Sequence, residues 1–197
     1  MSFSRRGFMA AGGAAVTATA LASCAGDTDR ETQERGPAAG DLELVNFALL
    51  LEYFEAGFYK QVLDRDVFSG GERRLVEEIY ADEQAHVKAL EVTARELGKP
   101  VAPPRTSFEE VFSGGRERTL RVAVDFENIG AGAYLGQAKR VRSDSVLATA
   151  LSIHTVEARH AAVLSEIAGR PVLPDGAFAT ALAPAEVMRR VGPYITS

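Results

Sequence analysis

Cysteine is nearly absent from this chain of 197 residues, since Cys24 is the only one. A single cysteine excludes an intramolecular disulfide bond. The chain also has no excess of basic residues: 22 Lys and Arg stand against 27 Asp and Glu, and the formal net charge is −5. This balance argues against nucleic acid as a partner. No long apolar run occurs beyond the N-terminus, so the sequence predicts that the body of the protein does not span a membrane.

The first 24 residues have the pattern of an export signal. Ser4–Phe8 contains a twin-arginine pair, and an apolar run of small residues follows from Met9 to Ala22. The run ends in Leu21-Ala22-Ser23-Cys24, which resembles the bacterial lipobox; the alternative is an ordinary signal with a chance cysteine. We therefore expect export by the twin-arginine route, with lipid on Cys24 anchoring an extracytoplasmic lipoprotein in the cell envelope.

Three segments follow the signal. Residues 25–40 are polar and small and predict a flexible tether, because they offer too little apolar surface to offset the entropy of ordering. Residues 41–169 predict one helical domain. Residues 170–197 are punctuated by proline, with one short helical stretch from Pro184 to Val191. We expect this C-terminal extension either to wrap the helical domain or to support an interface such as that of a homodimer.

The helical domain contains four amphipathic stretches with apolar residues at steps of three and four. The first three are predicted at about Asp41–Asp64, Glu72–Leu97 and Glu117–Arg142, and Ser143 or Asp144 can cap the fourth. The connection Lys99–Gly115 could span about 55 Å, which exceeds the roughly 40 Å length of a helix. The sequence thus predicts an all-α four-helix bundle with one long crossover between helices two and three.

Two lone glutamates and two Glu-x-x-His pairs recur along the helices at nearly constant spacing. The first copy consists of Glu52, Tyr59, Glu83 and His86, and the second copy of Glu127, Tyr134, Glu157 and His160. Residues three apart share a helical face, so each pair can direct two ligand groups to one point. The lone glutamates can add carboxylates from the other two helices.

This residue set suits a pair of metal ions. Four carboxylates offset the charge of two divalent cations, and oxygen with imidazole nitrogen favours iron, manganese or zinc over copper(I). Any one of these acids, taken alone, would be explained as a residue on the solvent-exposed face of a helix. The acids here, however, interrupt apolar stripes in two copies, and burial of unpaired carboxylates costs several kcal/mol each. The combination predicts a buried di-metal centre.

The repeated ligand pattern resembles the ferritin-like superfamily over about Leu42 to Ala168. Its internal symmetry is more similar to bacterioferritin, rubrerythrin and manganese catalase than to animal ferritins. Asn46–Tyr59 resembles a segment of exported bacterial ferritin-like proteins, some of them called desiccation- or stress-related. The absence of a Cys-x-x-Cys pair weakens the case for a rubrerythrin-type electron relay, and a tethered lipoprotein fits poorly into a closed storage cage.

The resemblance implies a ferritin-like fold with two iron ions, or manganese, as cofactors. It also implies Glu52 and Glu127 as terminal ligands, Glu83 and Glu157 as bridging ligands, and His86 and His160 as one ligand for each metal. Two classes of function follow. The first is redox chemistry with dioxygen or peroxide as a small oxidant, as in a ferroxidase, a peroxidase or a catalase-like enzyme. The second is a non-catalytic scaffold for metal sequestration or stress-related binding.

Several neighbouring residues have two interpretations. Tyr59 and Tyr134 are candidate catalytic residues, either as hydrogen-bond donors to a ligand or as radical sinks; the alternative is core packing with a satisfied hydroxyl. Glu55 competes with Glu52 as a ligand, but it aligns with a glycine in the second copy, so we choose Glu52. His154 is expected at the surface or in a capping role. Gly57 and Gly132 also align between the copies, and they allow either close backbone approach or room for a small oxidant.

Overall fold

The computed structural model describes residues 40–196. The predicted signal peptide with Cys24, and the predicted tether up to residue 39, lie outside the described residues. The helices are α1 (Asp41–Asp64), α2 (Gly70–Leu97), α3 (Glu109–Phe112), α4 (Gly115–Ala138), α5 (Asp144–Ile167) and α6 (Pro184–Val191), with a 3-10 turn at Gly192–Tyr194. No helix in this described part of the chain is both long and apolar enough to cross a membrane.

Helices α1, α2, α4 and α5 form the bundle, with α1 packed on α2 and α4 packed on α5. Tyr59 of α1 hydrogen-bonds to Glu127 of α4, whereas Tyr134, two turns later in α4, hydrogen-bonds to Glu52, two turns earlier in α1. These pairings require α1 and α4 to run antiparallel. Since α2 is also antiparallel to α1, α2 and α4 run parallel through the connection between them. The predicted all-α bundle with one long crossover is confirmed.

The crossover, residues 98–114, contains two elements that the sequence analysis did not predict: β1 (Arg105–Thr106) and the short helix α3. Strand β1 pairs antiparallel with β2 (Ile195–Thr196), so that Arg105 lies opposite Thr196. The partner of β1 lies at the far end of the chain. A local sequence pattern carries no signal for such a pairing, and for this reason the strand was missed.

The helix boundaries differ from the prediction mainly at the end of α4. The predicted helix ran from Glu117 to Arg142, whereas α4 covers Gly115–Ala138. The buried Asp41 carboxylate accepts hydrogen bonds from the backbone N–H groups of Arg142 and Ser143, at 3.1 and 2.8 Å. This long-range contact stabilises a turn where the local pattern continues as a helix. Of the two residues predicted as possible caps of α5, Ser143 is the cap, because its hydroxyl accepts from the N–H of Val146 at 3.5 Å.

Two hydrophobic clusters fill the bundle. One includes five packed rings, which we call the aromatic cluster: Phe54, Phe58, Phe108, Phe126 and Tyr194. The other cluster is mainly aliphatic and includes Val45, Leu49, Leu90 and Ala94. Along α1, Glu52 lies between the two clusters, and along α2 the pair Glu83-His86 lies between Ile79 and Leu90. The predicted ligands therefore form a polar layer between two apolar ones.

The C-terminal extension packs on the bundle, which is the first of the two roles expected for it. Leu182 donates a backbone hydrogen bond to the carbonyl of Gly132 at 2.8 Å. A Cβ atom at Gly136 would lie only 2.0 Å from the carbonyl oxygen of Leu182. Only glycine therefore fits at this position of α4, where the extension packs on the helix. A Cβ atom at Gly132 would lie 2.8 Å from Leu182 Cγ and 3.0 Å from the backbone oxygen of Thr180, so close approach of the extension explains this glycine. Gly57 lies beneath the crossover, where a Cβ atom would meet the hydroxyl of Thr106 at 3.4 Å.

Candidate metal centre

The six predicted ligands meet in the middle of the bundle, in two groups whose ligand atoms lie within 4.8 Å of one another. The first metal position consists of Glu52, Glu83, His86 and Glu157, and the second metal position consists of Glu83, Glu127, Glu157 and His160. Glu83 and Glu157 belong to both positions. One lone glutamate and one histidine complete each position. This sharing is the geometry that two bridging carboxylates would have.

The chemistry of the donor set fits a pair of cations. The four glutamates are fully buried, with 0% exposure, and both histidines are below 10%. Several of their polar atoms have no hydrogen-bond partner, namely Glu83 Oε1, Glu127 Oε2, both Glu157 oxygens and His160 Nδ1. Buried anions without partners cost several kcal/mol each, and coordination of cations would remove that cost.

Both imidazoles direct Nδ1 toward the carboxylates. His86 Nδ1 lies 3.1 Å from Glu157, 3.2 Å from Glu52 and 3.3 Å from Glu83. His160 Nδ1 lies 3.1 Å from Glu83 and 3.2 Å from Glu127, at angles that do not make hydrogen bonds. His86 Nδ1 pairs with Glu52 and Glu83, whereas His160 Nδ1 has no hydrogen-bond partner. Each nitrogen faces the carboxylates of its own metal position, where a cation would bind its lone pair.

The two tyrosines connect the copies of the repeat. The Tyr134 hydroxyl donates to Glu52 Oε1 at 2.5 Å, and the Tyr59 hydroxyl donates to Glu127 Oε1. Each tyrosine therefore holds the lone glutamate of the other copy. Burial, followed by the charge of the bonded glutamate, raises the pKa of both phenols well above the ordinary value of 10. The hydroxyls are thus kept as hydrogen-bond donors to the candidate ligands, and both rings also pack in the core.

Without a cation the cluster retains protons. Burial raises the pKa of Glu83 to about 7, and burial together with the charge of Glu52 raises the pKa of Glu157 well above its ordinary range. Burial opposes charge on the imidazoles, but the surrounding carboxylates outweigh it and raise the pKa of His86 to about 12 and of His160 to about 11. Binding of cations would displace these protons.

Three neighbouring residues differ in their placement. Glu55, set aside in favour of Glu52, is not part of either position, yet it is 2% exposed and lies beside Glu157 across Gly130. His154 is half-buried and lies outside both positions, with Nδ1 donating to the Ala131 carbonyl of α4 at 3.0 Å. Asp82, one residue before Glu83, approaches the outer nitrogen of His160 at 3.2 Å and was not singled out from the sequence.

A comparison with protein families gives a match over most of the chain. Residues 40–170 match the family described as "Ferritin-like domain". No curated protein matches the chain. The matched range covers all four bundle helices and every candidate ligand described above, and it is more than half of the chain. The chain therefore belongs to the ferritin-like domain family.

Proposed function

We propose that this protein binds a carboxylate-bridged pair of iron or manganese ions and uses the pair for redox chemistry with dioxygen or peroxide. The observation that carries the proposal is the sharing of two fully buried glutamates, Glu83 and Glu157, between two groups of candidate ligands. A structural core gains nothing from four buried carboxylates, whereas two divalent cations require that charge.

The number of protein ligands supports a reactive metal centre rather than one in which every coordination position is filled by protein. When bound, the metal pair supplies or accepts the electrons of the reaction. Six protein side chains leave coordination positions open on two ions, and a small oxidant requires such positions. The hydroxyls of Tyr59 and Tyr134 donate hydrogen bonds to Glu127 and Glu52. These hydrogen bonds would respond directly to a change of charge on the two glutamates.

The surroundings suit a small oxidant. A cavity of about 30 Å³ lies between α1, α2, α4 and α5, and Tyr134 forms part of its wall. Its other lining residues are almost all apolar, for example Leu51, Leu90, Ala133 and Val146. Such a volume exceeds the roughly 10–15 Å³ that one water needs, and it is far below what an organic substrate requires.

Metal analysis followed by an oxidant assay tests the proposal. We expect the purified protein to bind two iron or manganese ions per chain and to oxidise ferrous iron or consume hydrogen peroxide. Glu157→Gln removes a shared carboxylate and should abolish turnover. Glu166→Gln on the same helix is the matched control, because this residue is exposed. Tight metal binding without turnover under either oxidant would contradict the redox role and favour metal sequestration.

We also propose that the protein works in the cell envelope as a lipoprotein exported by the twin-arginine route. The support is the sequence of residues 4–24, which combines Arg5-Arg6 with a small-residue run ending at Cys24. Fractionation of cells that express the full chain checks this. The wild type should be recovered with membranes, and Cys24→Ala should be recovered in a soluble fraction. Equal membrane recovery of both proteins would contradict lipid anchoring at Cys24.

A further inference from the structure

The two copies of the repeat differ at two positions next to the candidate ligands. Glu55, one turn after Glu52, corresponds to Gly130 in the second copy. Asp82, directly before Glu83, corresponds to Val156. Both acids occur in the first copy only. The surroundings of the two metal positions are therefore not equivalent, although the six ligands themselves are symmetric.

Glu55 is a buried carboxylate with an unused oxygen. It is 2% exposed, and its Oε2 atom has no hydrogen-bond partner. A Cβ atom at Gly130 would lie 2.9 Å from Glu55 Oε1 and 2.7 Å from Glu157 Oε2. The absence of a side chain at Gly130 thus gives the Glu55 carboxylate its place beside a shared ligand. Glycine is the residue that leaves this space open, and it costs about 1 kcal/mol in a helix interior relative to alanine.

Glu55 lies on the same helix face as the lone glutamate of the first metal position. It shares α1 with Glu52, and residues three apart lie on one face of a helix. The Glu55 carboxylate also lies beside Glu157, whose Oε2 atom borders the same space at Gly130. Because Glu52 belongs to the first metal position alone, Glu55 is placed to ligate the ion at that position.

Asp82 acts on the other position. Its Oδ2 atom lies 3.2 Å from His160 Nε2, while His160 Nδ1 faces the carboxylates. A carboxylate on the outer nitrogen fixes the orientation of a metal-binding imidazole and raises its basicity. The Asp82 side chain is exposed, so solvent weakens this contact. The valine at the equivalent place in the second copy has no group that could serve His86 in the same way.

We propose that Glu55 is a fifth carboxylate of the centre that ligates the ion at the first metal position, so that this position binds its ion more tightly and fills first. The inference rests on the proposed metal pair and adds to it a ligand and an order of loading. Divalent manganese is a suitable probe, because it binds oxygen and imidazole ligands and the titration needs no oxidant.

Two variants of the protein, each lacking the lone glutamate of one metal position, serve as backgrounds for the test. Glu127→Gln removes the lone glutamate of the second position, and Glu52→Gln removes that of the first. Manganese binding is measured by the decrease of the free-ion paramagnetic resonance signal, in each background with and without the added substitution Glu55→Gln. We expect Glu55→Gln to weaken binding about 10–100-fold in the Glu127→Gln background and to leave it unchanged in the Glu52→Gln background.

Glu43→Gln is the matched control, because Glu43 lies on α1 and is exposed; it should change neither affinity. Glutamine keeps the size of Glu55, so a role in packing alone would survive the substitution. Glu55→Ala is a second variant with the same expected loss. Equal effects in both backgrounds, or none in either, would overturn the proposal. Manganese binding without turnover would refute the redox role alone, and no binding by the wild type would refute the metal pair and Glu55 together.

Discussion

Each lone glutamate of the centre is buried together with a hydrogen-bond donor from the opposite copy. Glu52 has Tyr134, and Glu127 has Tyr59. Because a buried carboxylate without partners is strongly destabilising, these phenols contribute to folding before any cation binds. They also fix which oxygen of each glutamate faces the histidine of its own metal position. The tyrosines therefore combine the two interpretations that the sequence left open, hydrogen bonding to a ligand and packing in the core.

Tyr134→Phe separates these two contributions. The ring still packs, but Oε1 of Glu52 loses its donor, so we expect the free energy of unfolding of the metal-free protein to fall by about 1–3 kcal/mol. Tyr59→Phe should have an effect of similar size through Glu127. Urea denaturation measures both. Tyr80→Phe is the control, since Tyr80 is only partly buried and should change stability by less than about 0.5 kcal/mol. Equal values for Tyr134→Phe and Tyr80→Phe would exclude a role for the hydroxyl.

Gly130→Ala tests the space beside the shared carboxylate. The new methyl group would lie 2.7 Å from Glu157 Oε2 and 2.9 Å from Glu55 Oε1, closer than van der Waals contact permits. We expect weaker metal binding, by about tenfold or more, as the carboxylates move. Gly57→Ala is the matched control in mid-helix, because its methyl group would make an ordinary contact at 3.4 Å. That variant should keep its metal affinity and gain up to about 1 kcal/mol of stability.

Among the elements, the crossover contributes more than a connection. Phe108, just before α3, is fully buried, and its ring packs edge-on against Phe54 and Phe58 with centroids 5.2 Å away. On its other side it stacks on Tyr194 of the C-terminal extension at 5.7 Å. The crossover and the extension thus pack together on the aromatic cluster of the bundle.

Phe108→Ala should therefore destabilise the whole domain. Loss of a fully buried ring costs about 3–5 kcal/mol, and the cavity would lie where three separate segments meet. Phe178→Ala is the control within the extension, because Phe178 is 87% exposed; its effect should stay within about 0.5 kcal/mol. Thermal or urea unfolding measures the difference. A small effect of Phe108→Ala would mean that the crossover is not part of the cooperative unit.

At the scale of the whole molecule, the centre couples folding to pH. In the metal-free protein the folded-state pKa values are raised: about 7 for Glu83, about 12 for His86 and about 11 for His160. The ordinary values are 4.5 for glutamate and 6.5 for histidine. The folded state therefore binds more protons than the unfolded state above about pH 5, and the free energy of unfolding falls as pH rises.

We expect the metal-free protein to be less stable at pH 8 than at pH 6. The stabilisation from the two imidazoles is fully present below their unfolded pKa and is lost as pH rises through the folded values. Metal binding has the opposite sign, because it releases these protons and becomes tighter as pH rises. Unfolding with and without manganese at both pH values measures both trends. Stability of the metal-free protein that rises from pH 6 to pH 8 would contradict the charge state described for the cluster.

Much of the bundle could be predicted because its signals are local. The steps of three and four along α1 and the cap at Ser143 depend on neighbours within a few residues. The end of α4 could not be predicted in the same way, since the carboxylate of Asp41, about a hundred residues earlier in the chain, fixes the turn at Arg142 and Ser143. Strand β1 depends likewise on a distant partner.

The same distinction holds for the candidate centre. The sequence alone determined the six candidate ligands, because acids that recur on apolar helix faces are costly unless they converge on cations. Only the tertiary structure decided that each tyrosine serves the glutamate of the other copy, and that Glu55 enters the space left by Gly130. These contacts join helices that are far apart in the chain, and their geometry arises from packing, which periodicity along a single helix does not encode.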